Sequence, residues 1–201
     1  MRFYLLIIIS ALLLSCSQVK NVKTYYENGN LLEGYTVLKS DPEVIHGVYR
    51  SYDMQGNLKE SSYYENGLLH GKRNLFFSDG RQEVIETYVN GDFEGPYVMY
   101  YESGNKFEEG IFEANQRIGI WKYYWDRGGN PLKEEIIYED NVENGPFKEY
   151  HPNGQLAAEG TYLNEFEHGL LKMWDSTGFL IKEIVYDNGR PIEYNEYTKE
   201  D

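Results

Sequence analysis

The chain has little of what most site chemistry needs. A single cysteine among 201 residues excludes an internal disulfide framework and any multi-cysteine zinc site. Four histidines are too few for most histidine-based metal sites. Basic residues are scarce, with 19 Lys and Arg against 33 Asp and Glu and a net charge of −14. Such an acidic surface argues against bulk binding to nucleic acid or anionic lipid, because both are polyanions. No glycine cluster, Gly128-Gly129 included, is followed by the Lys-Ser/Thr of a phosphate loop. A Gly-x-Ser-x-Gly nucleophile elbow is missing too. These absences predict a protein that is not an enzyme, without catalytic residues, metal or cofactor. What is present is 41% hydrophobic and 26% charged, a balance that excludes wholesale disorder.

The first residues read as an address. Met1-Arg2 is a short basic start, and Phe3 to Leu14 is apolar apart from Tyr4 and Ser10. That length suits a signal-peptide core and is too short to span a bilayer comfortably. Leu13-Leu14-Ser15-Cys16 follows and resembles a bacterial lipobox. The resemblance implies cleavage before Cys16 and acylation of its thiol and new amino group. Two or three acyl chains would anchor the chain in effect permanently, at about 0.8 kcal/mol per buried CH₂. From Ser17 onward there is no second apolar run of membrane length. The expectation is a tethered chain in the cell envelope. No Asp follows Cys16, which resembles sorting to the outer membrane of a Gram-negative bacterium. The reading divides the chain into a signal peptide (1–15), Cys16 with a flexible tether (16–24), a repeat array (25–194) and an acidic tail (195–201).

The array is a repeat. Gly29, Gly56, Gly80, Gly104, Gly129, Gly154 and Gly178 recur about every 24 residues, interleaved with Gly47, Gly71, Gly95, Gly119, Gly145 and Gly169. Seven residues before most glycines of the second series stands an aromatic: Tyr64, Tyr88, Phe112, Tyr138 and Tyr162. The unit reads as two short aromatic-rich strands and two turns, with Asn-Gly at 66–67, 90–91 and 188–189 supplying positive φ. No window holds an apolar 3.6-residue stripe, so no helix is predicted beyond the signal peptide.

These motifs resemble the MORN repeat family in its bacterial variant form. Tyr64-Glu-Asn-Gly-Leu-Leu-His70-Gly71 matches the first half of its unit and Gly119-Ile-Trp121-Lys-Tyr-Tyr124 the second. Asn164-Glu165 lacks the glycine, and residues 37–44 fit poorly. The resemblance implies an all-β fold, an elongated antiparallel sheet of about seven stacked hairpins. Relatives of this kind are often labelled as the antitoxins of toxin–antitoxin pairs. Eukaryotic MORN arrays are linked to membranes, a role that the negative charge disfavours here.

Slots in the repeat carry the remaining expectations. Tyr49, Tyr97, Trp121 and Phe147 stand two residues after the glycine; Tyr52, Phe76, Tyr100, Tyr124, Tyr150 and Trp174 stand five after it. Both sets are expected to stack as core ladders, because one hairpin alone buries too little to stand in water. Tyr97, Trp121, Tyr124, Trp125 and Trp174 are also the candidate ligand contacts, since Tyr and Trp give large contact area at low entropic cost. His46, His70 and His168 each precede a repeat glycine, and a turn-stabilising hydrogen bond is favoured there over a metal ladder. Glu109, Glu135, Glu159 and Glu183 share one slot, and Lys122, Lys148 and Lys172 another. Cross-strand Glu–Lys pairs are expected from them rather than a catalytic acid pair. The function expected is a non-catalytic protein-interaction scaffold whose partner presents a basic surface. The alternatives are an antitoxin or immunity protein and a glycan-binding surface protein.

Overall fold

Turn chemistry makes the hairpins. Asn66 and Gly67 adopt φ of 51° and 85°, Asn90 and Gly91 52° and 91°, and Asn188 and Gly189 47° and 74°. Two successive positive φ values are what a tight two-residue hairpin turn requires. Asn164 and Glu165 reach the same conformation, at 52° and 70°, so the degraded copy keeps its turn without the glycine. The opposite ends of the hairpins close through a second turn. There the Asp53 N–H donates to the Asn57 carbonyl and the Gly56 N–H to that of Asp53. The turn after Trp125 is longer: the Trp125 N–H reaches the Pro131 carbonyl at 3.0 Å. This loop absorbs the two extra residues between Gly119 and Gly145.

The structure, a computed structural model, describes residues 18–199. The signal segment and Cys16 lie outside the described residues. The rest is one open antiparallel sheet of 19 strands with no helix among the described residues. Each strand pairs with its neighbours in the chain; Gln116–Tyr124, for example, lies between Lys106–Glu113 and Leu132–Glu139. Four strands are two-residue pieces, such as Leu68–Leu69, split by one residue from a six-residue partner such as Gly71–Phe76. The kink falls at the second glycine series, where Gly71 has φ of 74° and Gly145 of 121°.

Two boundaries differ from the sequence reading. The tether expected over 16–24 is in large part a strand: Val19–Tyr25 pairs with Leu31–Leu38, Val22 facing Tyr35. Its lysines point to solvent at a sheet edge, so its polar composition concealed a strand half-buried only through Val19, Val22 and Thr24. At the other end Arg190–Glu196 pairs with Leu180–Asp187, carrying the sheet past residue 194. Beyond it Tyr197 donates to Glu183 at 2.7 Å and Lys199 pairs with Asp175 at 2.8 Å. The acidic tail expected over 195–201 is thus partly strand and partly held against the last hairpin.

Strand alternation divides the side chains between two faces. One face holds the core. Trp121 is fully buried, clustered with Ile136 and Phe147 and packed by Tyr97, Phe112, Tyr138, Tyr162 and Leu171. Its ring centroid lies 5.6 Å from Tyr97, 5.2 Å from Phe112 and 6.1 Å from Tyr138. The Arg117 guanidinium caps it at 4.1 Å. Tyr97 and Trp121 lie on strands separated by a third, a gap of about 9.6 Å between backbones. They touch because Gly110 stands between them: a Cβ there would sit 2.3 Å from the Trp121 ring. Gly160 plays the same part beside Phe147, at 2.8 Å. The ladder expected two after the glycine therefore forms where an intervening glycine leaves room. The ladder expected five after the glycine does not form. No ring contact joins Tyr52, Phe76, Tyr100, Tyr124, Tyr150 and Trp174 to one another among the described residues.

Candidate binding surfaces

The face opposite the core is a chequerboard of lysine and glutamate. Lys122 lies between Glu109 and Glu135 in register, and Lys172 between Glu159 and Glu183. Ion pairs close at 3.3 Å for Lys122–Glu135, 3.8 Å for Lys172–Glu183 and 2.7 Å for Lys106–Glu109. Tyrosine hydroxyls add to them. Tyr124 donates to Glu109 and Tyr150 to Glu135. Burial, and then the Glu109 carboxylate, push the Tyr124 hydroxyl above the usual phenol range. Glu109, Glu135 and Glu183 are thus occupied in holding the sheet, as cross-strand pairing predicts, whereas Lys148, in register between Glu135 and Glu159, closes no ion pair with either within 4.0 Å.

Through this polar board runs an apolar stripe perpendicular to the strands. Pro96 faces Ile111, Ile120 faces Ile137, Pro146 faces Thr161 and Leu170 faces Val185. Ile120 remains 56% exposed, Ile111 48% and Leu170 47%. Shallow grooves follow the stripe past Ile120, Pro146 and Leu170. Exposed apolar surface that is continuous across several strands, rather than scattered singly, marks an interaction surface.

The core face carries a row of charged residues beside its rings. Arg73 bridges two carboxylates, its Nε 2.8 Å from Glu60 and its Nη1 3.1 Å from Glu86. Arg117 lies 3.6 Å from Glu108, whose carboxyl is pushed up by burial and held back by Arg117. At the end near the Trp125 turn a cleft of about 490 Å³ opens between Trp125, Trp174 and Ile181, floored by Ala157 and Ala158.

The candidate ligand contacts scatter over these surfaces. Trp121 is fully buried in the core and cannot meet a ligand; its slot packs under the rings of three neighbouring strands. Tyr97 is half-buried beside it, its hydroxyl pushed up to about 12 by burial and by Glu108. Tyr124 stands on the chequerboard face. Trp125 and Trp174 flank the cleft, each half-buried. The Trp125 Nε1–H donates to the Tyr150 carbonyl at 3.0 Å, and the Trp174 carbonyl meets His151 Nε2 at 2.8 Å. Of the slot histidines, His46 stabilises a turn, its Nδ1 accepting the Asn66 N–H at 3.2 Å. Glu94, two copies further on, acts in the same way, accepting the Ala114 N–H at 3.0 Å. His70 instead lies 3.7 Å from Glu65, its Nδ1 buried without a hydrogen-bond partner. Among the described residues no group of three or more His, Cys, Asp or Glu is placed to hold a metal.

Sequence reasoning missed the apolar stripe and the cleft. The stripe's residues sit one after and one before the slots noticed for their glycines and aromatics. The signal for the cleft was Ala157-Ala158 standing where other copies carry Phe107-Glu108 or Lys133-Glu134.

Hairpins stacked in chain order into one open sheet define a β-hairpin repeat protein. The family model described as MORN repeat variant matches residues 18–35, 45–66, 93–114 and 143–164. MORN-variant repeats are found at those four segments, and the structure continues similar hairpins through the stretches between them. No curated protein matches it. A sheet of MORN repeats is a repeat-based binding scaffold.

Proposed function

We propose that the protein is a lipid-anchored envelope lipoprotein, attached through Cys16, most at home in a Gram-negative outer membrane. There it acts as a non-catalytic docking scaffold for a protein partner. The observation that carries this reading is the apolar stripe from Pro96 to Val185, half-exposed across successive repeats and edged by paired lysines and glutamates. A stripe of this kind suits an extended apolar segment, with the charged rows setting its register. The net charge of −14 adds long-range attraction for a basic partner.

The test is capture from envelope extract with the full-length chain, beside Ile120→Asp and Leu170→Asp variants. Both positions are exposed, so the variants should fold while losing the captured protein. Equal capture by all three refutes the stripe as the docking surface. With the partner in hand, association should slow tens-fold by about 0.5 M salt, with dissociation nearly unchanged. An association rate independent of salt would favour a glycan or a neutral peptide as ligand. The acidity also favours a second reading, immunity against a basic toxin. Neutralisation of a captured toxin's activity by the chain would establish it.

A further inference from the structure

The cleft on the core face is a separate site from the apolar stripe, and the chain itself shows what it lacks. Four residues before the repeat aromatic, one slot carries Glu60, Glu108 and Glu134. In two of the three copies an arginine answers the acid: Arg73 for Glu60 and Arg117 for Glu108. Arg73 is held in a fork, with Nε and Nη2 on the two oxygens of Glu60 and Nη1 on Glu86. Glu134 instead faces Glu149 across the register. No cation approaches within 4.0 Å of either carboxylate among the described residues. Of the basic side chains lining the cleft, Lys133 lies 5.2 Å over the Trp125 ring and His151 is engaged through Nε2 with the Trp174 carbonyl. Two carboxylates against one ammonium leave the cleft acidic.

The cleft is also a shaped space. Ala158, the next residue of the same slot after Glu134, is buried and small, and Ala157 beside it is small as well. The hollow they leave, about 490 Å³, is walled by Trp125, Trp174 and Ile181. That volume falls in the range of ligand-binding clefts. Aromatic walls, an apolar floor and a carboxylate pair together suit a flat cation. A guanidinium stacks on an aromatic face and forks onto carboxylates, which an ammonium does less well. Burial first, and then the Glu149 charge, push the Glu134 carboxyl up, with Lys133 opposing. A second cation would reverse that shift.

We propose that this cleft binds the arginine side chain of a protein partner, seated between Trp125 and Trp174 with its guanidinium on Glu134 and Glu149, as Arg73 is seated between Glu60 and Glu86.

The test is a titration of the full chain with acetyl-Ala-Arg-Ala-amide, followed by the three tryptophan indole N–H signals in NMR. The expected result is a saturable shift at Trp125 and Trp174, with Trp121 unmoved and reporting an intact core. The same peptide with citrulline for arginine, of equal shape and no charge, should produce none. Glu134→Gln and Glu149→Gln should each weaken binding about tenfold, the scale of one charge-assisted hydrogen bond. Ala158→Leu should abolish it by filling the hollow, and Lys133→Met should tighten it by removing the competing charge. An equal response to the citrulline peptide would overturn the proposal. So would affinity unchanged in the two glutamine variants, or no shift at Trp125 and Trp174. Failure here with Ile120→Asp still losing its captured partner would leave the stripe reading standing; the reverse pattern would leave only the cleft.

Discussion

Substituting Gly110 by alanine tests whether the ladder depends on missing side chains. The added Cβ would lie 2.3 Å from Cδ2 and Cε2 of Trp121 and 2.7 Å from its Cγ. Carbon atoms pack at about 3.5–4.0 Å, so the ring would have to retreat by more than about 1 Å. It has nowhere to go: Tyr97, Phe112 and Tyr138 surround it, and it has no exposed surface. Overpacking of this kind costs about 1–3 kcal/mol, and this clash belongs at the upper end. The φ of Gly110 is not left-handed, so the backbone itself accepts alanine and returns about 0.4–1 kcal/mol through the unfolded state. The net expectation is a loss of about 2 kcal/mol, measured by urea denaturation and by hydrogen exchange along the chain. Gly34→Ala is the control. Its nearest neighbour beyond the adjacent residues is Leu31 at 3.9 Å, so the change should be neutral or slightly stabilising. In a Trp121→Ala background, Gly110→Ala should cease to destabilise, giving an interaction energy of about 2 kcal/mol. Equal costs for Gly110→Ala with and without the indole would refute the argument.

Trp121→Ala alone should cost about 3–5 kcal/mol, with exchange rising most on Lys106–Glu113 and Leu132–Glu139 and least at the two ends of the sheet; a uniform rise would contradict neighbour-only coupling. Glu134→Gln should change the pH dependence. Its carboxyl is raised by burial, so the native state holds this proton more tightly than the unfolded chain does. Its stabilising contribution is complete below the unfolded value of 4.5 and is lost as pH rises through the higher native value. The glutamine variant should therefore be more stable than the parent at pH 7, and a variant less stable there would refute the desolvated carboxyl. Cys16→Ser should abolish fatty-acid incorporation in metabolic labelling, and equal label on parent and variant would remove the lipoprotein reading.

The period of the repeat was legible because most of its positions with positive φ carry glycine, which adopts that conformation without a steric penalty, and the strands follow from the turns. The paired roles of Lys122 with Glu135 and Lys172 with Glu183 were legible for the same reason: a constant spacing implies a constant register. Faces were harder to read. Trp121 and Tyr124 stand three residues apart, an odd number, and alternation puts them on opposite sides of the sheet. Treating both slots as core missed that parity. The register also slips within each hairpin, as at Tyr123/Tyr124, so parity cannot be carried by counting from one strand to the next. The cleft depends on residues of five strands and of the turn at Trp125, brought together by that shifted register, and only Ala157-Ala158 hinted at it. The first strand was hidden by Lys20 and Lys23, which an edge strand carries without penalty.

Pairing only between chain neighbours has a consequence for how the sheet comes into being. Each strand finds its partner a few residues upstream, so the search is short and the loop entropy to be overcome is small. A growing end needs nothing that has yet to arrive. A chain delivered N-terminus first can zip hairpin by hairpin, beginning at Val19–Tyr25 and Leu31–Leu38, and each finished hairpin becomes the template for the next. The slow step should be the first stable nucleus, and the stretch from Tyr97 to Phe147 carries the densest packing. A chain halted before Gly145 would leave Ile136 and Tyr138 without Phe147 to cover them, so completion of that central block sets the shortest length at which an arrested product could persist.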